Sequence, residues 1–158
     1  MATAGISSLG ITFSYGIETT AGTKPTAFTL LTRINEIGDV SVDTEAIDAS
    51  ALEDKQSRNI PGRDTITDKM TVTVNKTAET ISEWKKVIED YKTLSGGKRM
   101  WFQEITPGFE EAEFIVAAPP SILPISGKSQ NSLLTMEIPL TIDEMIGTSA
   151  KVVPTSGE

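Results

Sequence analysis

Hydrophobic and polar residues alternate along much of this chain, and a period of two is typical of β-strands whose two faces meet different surroundings. The clearest case covers residues 66–75, where Met70, Val72 and Val74 alternate with polar residues. A second run of the same kind covers residues 133–142. Shorter runs predict further strands at 28–35, 39–49, 99–105 and 112–117. The pattern therefore predicts a protein that is mainly β.

One segment departs from this alternation, because residues 80–94 repeat their apolar positions at the spacing of an amphipathic helix. Thr80 and Glu83 match the capping box that begins a helix, and Gly96 and Gly97 follow its predicted end, where left-handed backbone is common. We expect the apolar stripe to pack across the strands, giving one layer of sheet and one of helix. The packing residues of the stripe are Ile81, Trp84, Ile88 and Tyr91.

Residues 1–146 are predicted to form a single domain, because 158 residues with 38% hydrophobic positions suffice for one core. Within it, residues 1–27 are assigned as an N-terminal arm and residues 50–65, which lack periodicity, as a long loop. Residues 147–158 are predicted to be a flexible C-terminal tail. Segments of this composition become ordered only when a partner binds them.

The chain contains no cysteine and no histidine, which excludes thiol and imidazole catalysis, disulfides and zinc sites built on these residues. Two acidic pairs are adjacent in sequence, Glu53 with Asp54 and Glu110 with Glu111, and nothing in such a pair indicates a shared catalytic pocket. The acidic residues also lack the spacing of a calcium loop. We therefore expect a protein that is not an enzyme, with no catalytic residue, no metal site and no cofactor.

Acidic residues outnumber basic ones by 22 to 14, which gives a net charge of −8. This sign disfavours tight binding to nucleic acid or to anionic membranes. The sequence shows no signal peptide, and no apolar run reaches the length that spans a membrane. The expectation is a protein that is made and assembled in the cytoplasm.

Residues 36–54 hold seven of the acidic residues and no lysine or arginine. One interpretation is a solvated outer face that keeps the protein soluble. The other is a surface that repels polyanions. The sequence alone leaves both open.

Several motifs follow one another in a distinctive order: Ile-Asp-Ala-Ser-Ala-Leu-Glu-Asp at 47–54, Ile-Pro-Gly-Arg-Asp at 60–64, the strand at 66–75, the helix and the strand that contains Trp101. This order resembles that of the major tail proteins, or tail tube proteins, of long-tailed bacteriophages of the siphovirus type. The resemblance covers most of residues 28–142. Its two most specific parts are the first two motifs.

The resemblance implies a β-sandwich or barrel-like subunit with a flanking helix, whose sheets join across subunits around a lumen. Six copies would form a ring, and rings would stack into the tail tube of a virion assembled in the bacterial host cytoplasm. DNA would pass through during ejection without tight binding, and no membrane would be involved. The tail terminator, the distal tail protein and the tape-measure protein are the further partners it implies.

Strands with one apolar and one polar face suit this architecture, because the polar face can line an aqueous lumen. Candidate lumen-lining residues are Asp39, Asp43, Thr67, Lys69, Thr71, Thr73, Thr135, Glu137 and Thr141. The long loop would contact a neighbouring subunit or ring. Its candidate contact residues are Leu52, Glu53, Asp54, Arg58, Ile60, Pro61, Gly62 and Arg63.

Two other classes compete with this interpretation. A tube protein of a contractile tail, a tailocin or a type VI secretion system would have the same architecture in another setting. A carbohydrate-binding or adhesin-like β-sandwich would favour exposed aromatic residues.

Trp101 and Phe102 are adjacent on a predicted strand and face opposite ways, so we expect one in the core and the other at a subunit interface.

Overall fold

The computed structural model describes residues 9–155 and confirms the predicted class, mainly β with one helix. Nine strands and one helix follow one another along these residues. Their bounds are β1 Thr12–Ile17, β2 Thr29–Leu31, β3 Ile34–Ile37, β4 Val42–Asp48, β5 Asn59–Ile66, β6 Lys69–Asn75, α1 Ala78–Lys92, β7 Met100–Ile105, β8 Glu111–Ala118 and β9 Thr135–Ala150.

Seven strands form one antiparallel sheet in the order β2-β1-β7-β8-β9-β6-β3. The two edge strands, β2 and β3, are joined by only Thr32 and Arg33, and Arg33 turns the chain with a φ of 57°. The three steps from Leu31 to Ile34 span at most roughly 11 Å, so the sheet must curl until its two edges approach each other. Within the described residues no ladder joins β2 to β3, and the sheet is a barrel that stays open.

The main hydrophobic core lies inside the curled sheet. Alternate residues of β6 and β9, such as Val72 and Ile138, are fully buried there, as their period-two pattern predicts. The helix packs against the same core through Trp84. The hydroxyl of Tyr15 on β1 donates to Oδ2 of Asp90 at 2.9 Å, which ties the helix to the sheet.

The helix begins two residues earlier than predicted, because a different threonine caps it. The hydroxyl of Thr77 accepts from the backbone N–H of Thr80 at 3.1 Å, and the hydroxyl of Thr80 accepts from the N–H of Thr77 at 2.9 Å. Glu83, expected to complete the cap, instead accepts two hydrogen bonds from Thr32 between β2 and β3. The predicted glycines do follow the helix with positive φ angles, 67° at Gly96 and 78° at Gly97.

Three of the four predicted packing residues of the helix face the core. Trp84 and Ile88 are buried, and Ile81 is partly buried against the core. Tyr91 was assigned wrongly, since 39% of it is exposed. The position one turn earlier, Val87, is fully buried instead.

A second hydrophobic cluster lies on the outer face of the sheet. Phe28, Trp101 and Phe114 form its centre, and the ring centroids of Trp101 and Phe114 are 5.9 Å apart. Phe102 belongs to the main core. The two adjacent aromatic residues thus face opposite ways, as expected, but both are buried within the subunit and neither is left for an interface.

Residues 151–155, which we call the strap, cover this outer cluster. The side-chain amide of Gln103 accepts from the N–H of Val152 and donates to its carbonyl, both at 2.8 Å. Thr155 exchanges backbone hydrogen bonds with Phe28 and Leu30 at the edge strand β2. The predicted flexible tail from residue 147 was therefore wrong as far as residue 155, and residues 156–158 lie outside the described part.

Replacing Gln103 by methionine tests the strap. The side chain keeps its length, but the two backbone groups of Val152 and the hydroxyl of Ser14 lose their partner. We expect the free energy of unfolding to fall by about 2 kcal/mol, since orphaned buried polar groups cost roughly 1–3 kcal/mol each and the strap can partly return to water. Urea unfolding measures this, with Gln56→Met in an exposed loop as control. Equal midpoints in both variants would show that Gln103 does not hold the strap.

Two other predicted segment boundaries also need correction. Residues 1–27 are not an arm throughout, because β1 lies inside the sheet between β2 and β7, while residues 1–8 fall outside the described part. Residues 50–65 are not irregular throughout, because residues 59–66 form β5, and only 49–58 remain a loop. The predicted strand at 66–75 is interrupted at Thr67 and Asp68, where the chain passes from β5 into β6.

Candidate assembly surfaces

The strands β4 and β5 form a separate two-stranded hairpin that stands away from the main sheet. All seven residues of β4 are exposed, and in β5 only Gly62 and Ile66 are partly buried. A strand of seven residues is roughly 20 Å long, so the hairpin is a long projection. Among the described residues, the hairpin meets the rest of the subunit chiefly at its root, where β5 approaches β9 and Ile66 packs against the main core.

The tip of the hairpin, residues 49–58, is held by hydrogen bonds of its own. Asp48 accepts from the N–H of Ser50 at 2.9 Å, and the hydroxyl of Ser50 accepts from the N–H of Arg58 at 2.7 Å. Asp54 accepts from Ala51 at 2.8 Å and pairs with Arg58 at 3.2 Å. The tip is a defined turn even though almost nothing covers it.

The predicted contact residues of the long loop all lie on this hairpin. Leu52 at the tip is fully exposed, and Ile60 stands opposite Ile47 across the two strands, with about half of each side chain in water. Gly62 lies beneath Ile47, whose Cδ1 atom would be 2.9 Å from a Cβ placed there. The exposed apolar residues of one hairpin are typical of a surface that another chain covers.

Six of the nine predicted lumen-lining residues share one face of the sheet. They occupy alternate positions on the paired strands β6 and β9, where Lys69 lies opposite Thr141 and Thr73 opposite Glu137. We call this surface the polar band. Its members are Lys69, Thr71, Thr73, Thr135, Glu137 and Thr141. One lysine and one glutamate leave the polar band without net charge.

The other three predicted lumen residues lie elsewhere. Asp39 precedes the hairpin, and Asp43 lies on it. Thr67 lies where the two arms of the hairpin meet, and its hydroxyl accepts from the N–H of Ser41 at 2.9 Å. Carboxylates are therefore concentrated on and beside the hairpin, apart from the polar band.

Several strand edges carry no partner within the described residues. Both outer edges of the hairpin are unpaired, and so is the outer edge of β3. The first half of β9 has a strand partner only in β6, because β8 reaches no further than Thr141, but this edge is partly occupied, since the N–H of Glu137 donates to the hydroxyl of Ser126 at 3.1 Å. Pro139 lies in that half, since a residue that cannot donate to a ladder is tolerated at the edge of a sheet. The edge strand β2 is partly covered by the strap.

A groove of about 490 Å³ opens beside the root of the hairpin. Its apolar floor includes Phe13, Met70 and Ile115. Glu104 and Glu113 lie directly opposite each other on β7 and β8, and both line the groove. Burial, reinforced by the charge of Glu113, raises the pKa of Glu104. The groove is therefore an apolar trough with two like charges held close together.

A smaller depression continues this groove across Phe109, half of which is exposed, and adds two more acidic residues, Glu110 and Glu111. Together with Asp39 the two parts hold five carboxylates. None of their lining residues within the described range is a lysine or an arginine. We call the combined surface the acidic groove.

One buried acid was not anticipated from the sequence. Glu18 is 1% exposed and accepts hydrogen bonds from the indole of Trp101 at 2.9 Å and from the N–H of Arg99 at 2.8 Å. Burial acts to raise its pKa, but these bonds and one from Gly22 outweigh it and leave the pKa of Glu18 below its ordinary value of 4.5. Such a carboxylate stabilises the fold, and no local pattern indicates it, because Arg99 and Trp101 lie 81 and 83 residues further along the chain.

Two further searches of the described residues gave negative findings. No group of three or more aspartates and glutamates is arranged to hold a metal ion. In residues 9–155 the single helix is too short and too polar to cross a membrane.

Solved structures share this fold, whereas no protein-family model and no curated protein matches the sequence. One match is in the tail of an empty gene transfer agent particle with C6 symmetry, with 16% identity and a TM-score of 0.52 over 89% of this chain and 95% of that one. A chain of the six-fold symmetrised anti-feeding prophage baseplate matches with 9% identity and a TM-score of 0.54 over 95% and 98%. A third, in the native gene transfer agent virion, has 17% identity and a TM-score of 0.51 over 78% and 89%.

These likenesses define the chain as a protein with the fold of phage-type tail subunits. More particularly, the resemblance to tail tube proteins is confirmed at the level of the fold. The structure and the neighbours leave the siphovirus type untested.

Proposed function

We propose that this protein is a structural subunit of a phage-type tail tube, in which six-fold rings stack along the tail. The observation that carries the proposal is a tail-type fold combined with a long hairpin that is exposed on both strands. Two strands alone are only marginally stable in water. A neighbouring copy that covers the hairpin would stabilise it, so the subunit is incomplete by itself.

The unpaired strand edges support closure into a ring. In a ring, each copy presents one surface to a different surface of the next, and six such contacts close the circle. Pairing the free edges of β3 or the hairpin with a neighbouring chain would also remove edges on which the protein could otherwise aggregate. Joining sheets across subunits around a lumen is therefore part of the proposal.

We place the polar band on the wall of the lumen. Hydroxyl groups can face water there, and the uncharged surface offers phosphates no cluster of cations to bind. The net charge of −8 adds repulsion within the screening length of about 8 Å at physiological salt. DNA would then pass without being held. The net negative charge, with Asp39 and Asp43 among the candidate wall residues, predicts an acidic lumen. In this proposal the wall is instead neutral, and these two carboxylates lie on and beside the hairpins around it.

The role is that of a virion component without catalytic activity. Its main partner is the same chain, and a terminator, a distal tail protein and a tape-measure protein would complete the tail, with assembly in the host cytoplasm. The likeness to a baseplate chain of the anti-feeding prophage favours a second candidate, a ring in the baseplate or tube of a contractile particle.

Electron microscopy of the purified protein tests the proposal. We expect six-fold rings at low concentration and hollow rods at high concentration. Rods with many stacked rings distinguish a tube protein from a baseplate ring, which would stop at one or two layers. A chain that remains monomeric at high concentration would exclude both candidates and favour a binding module.

Charge reversal on the polar band tests the lumen assignment. Changing Thr71, Glu137 and Thr141 to lysine adds four positive charges to each subunit, one from each threonine and two from the glutamate. We expect particles with this tail to eject DNA at least about tenfold more slowly, because phosphates would bind the wall. The matched control changes Glu79 and Glu89 on the exposed face of α1 to lysine, which also adds four positive charges. Unchanged ejection from tubes with the altered band would place it outside the lumen.

A further inference from the structure

The charges of the hairpin are separated between its two arms. The outgoing arm belongs to the run 36–54, which has seven acidic residues and no basic one. The returning stretch 55–63 has the opposite composition, with Lys55, Arg58 and Arg63 and no acidic residue. We call this stretch the basic arm. The hairpin therefore has a cationic stretch next to a strongly acidic one.

The basic arm also carries exposed apolar surface. Ile60 lies within it, and Leu52 stands beside it at the tip. Arg58 pairs with Asp54, whereas Lys55 and Arg63 form no ion pair within the described residues. Lys55 and Arg63 on the basic arm are thus not neutralised within the described residues, and Ile60 on the arm and Leu52 beside it expose apolar surface.

The acidic groove has the complementary chemistry. It has an apolar floor, five carboxylates and no cation among its lining residues. Glu104 and Glu113 repel each other across the ladder, and like charges directly opposite each other are destabilising. A cation seated between them would relieve that repulsion.

The position of the groove explains why its occupant is another copy. Residues 37–40, which lead into β4, form part of its wall, so the groove lies at the root of its own hairpin. The basic arm runs away from that root by roughly 20 Å, the length of the strands. Each copy can therefore give its arm to the next copy and receive the arm of the previous one, a head-to-tail contact that repeats.

We propose that the basic arm of one subunit docks in the acidic groove of a second copy, with Leu52 and Ile60 on its apolar floor and Lys55 and Arg63 facing its carboxylates. This inference rests on the proposed tube, and it names the pair of surfaces that joins subunits. Electrostatic complementarity of this kind fixes which surfaces meet.

Charge exchange tests the pairing. One variant carries Lys55→Glu and Arg63→Glu, a second carries Glu110→Lys and Glu111→Lys, and a third combines all four changes. All four positions are exposed, so the fold is retained, and thermal unfolding checks this. The control carries Lys85→Glu and Lys86→Glu on the exposed face of α1.

We expect each double reversal to raise the concentration needed for assembly about tenfold and the combined variant to return it to within about threefold of the original. The control should assemble normally. Normal assembly of both double reversals would overturn the docking while leaving the proposed tube intact. The same holds if the combined variant needs a concentration raised by both effects together, with no recovery. An unaltered protein that never assembles would overturn both.

Discussion

Replacing residues 43–65 by Asn-Gly is expected to give a folded subunit that no longer assembles. Val42 and Ile66 are directly paired, and Ser41 and Thr67 hydrogen bond just below them, so a two-residue type I′ turn can join the shortened strands. The removed residues contribute nothing to either hydrophobic cluster. We expect rings and rods to be absent at concentrations at least about a hundredfold above those that suffice for the intact chain, because the projecting contact is lost.

Circular dichroism and sedimentation together measure this outcome. The thermal transition should remain cooperative while the sedimentation coefficient stays that of a monomer. A second variant replaces only the tip, residues 49–58, by Asn-Gly and keeps both strands; it should assemble more weakly than the intact chain, because Leu52, Lys55 and Arg58 are lost with the tip. Rods formed by the protein without residues 43–65 would show that the hairpin is not an assembly contact.

The second large effect is expected at Glu18. Replacing it by alanine leaves the indole N–H of Trp101 and the backbone N–H of Arg99 without their acceptor in a buried site. We expect a loss of roughly 3 kcal/mol in the free energy of unfolding, since each orphaned buried donor costs about 1–3 kcal/mol. Glu18→Gln keeps one acceptor oxygen and should lose less than half as much. Urea unfolding gives the values, and Glu89→Ala on the exposed helix face should stay within about 0.5 kcal/mol of the original.

The same residue makes stability depend on pH. Because the pKa of Glu18 is lower in the folded protein than its ordinary value of 4.5, its contribution is fully present above that value. The contribution is lost as the pH falls below 4.5 and through the folded-state pKa. Unfolding measured between pH 6 and about pH 3 should show a smaller decline in Glu18→Gln than in the intact chain. Parallel declines in the two proteins would assign the acid sensitivity to other groups.

The sequence predicted those elements well that have one buried face. β6, the first half of β9 and α1 follow their apolar periodicity closely, because burial selects alternate residues in a strand and every third or fourth in a helix. The second half of β9, residues 143–150, loses this alternation and was not predicted. Val72, Val74, Ile138 and Leu140 all point where the alternation places them. The fold class followed from these elements alone.

The hairpin was harder to predict, because neither of its faces is buried in the subunit. β5 contains Pro61 and Gly62, which disfavour regular strands, and its exposed residues show no apolar side. The strand pairing that places Ile60 opposite Ile47 depends on a register shift near Glu45 that no local pattern encodes. The surfaces proposed for assembly are therefore the ones for which periodicity carries the least information.

The strap and β1 were missed for a different reason. β1 has the alternation of Phe13, Tyr15 and Ile17, but it is short and follows small polar residues. The strap is ordered by Gln103, a residue about fifty positions earlier in the chain, and not by its own composition. Local sequence patterns do not predict long-range hydrogen bonds of this kind. The candidate lumen residues show the same limit. The six on β6 and β9 share a face, as the alternation predicts, and Asp39, Asp43 and Thr67 lie outside these two strands.

The position of β9 has a consequence for how each subunit folds as it is synthesised. The first half of this strand pairs with β6 and the second half with β8, so it is the only link between the group β3–β6 and the group β2–β1–β7–β8 in the sheet of the described residues. In chain order β9 follows every other strand of this sheet among the described residues. Until β9 has been synthesised, a nascent chain therefore holds two half-sheets that no strand joins. In the proposed tube, a subunit can accept a neighbour's hairpin only after β9 has closed its own sheet.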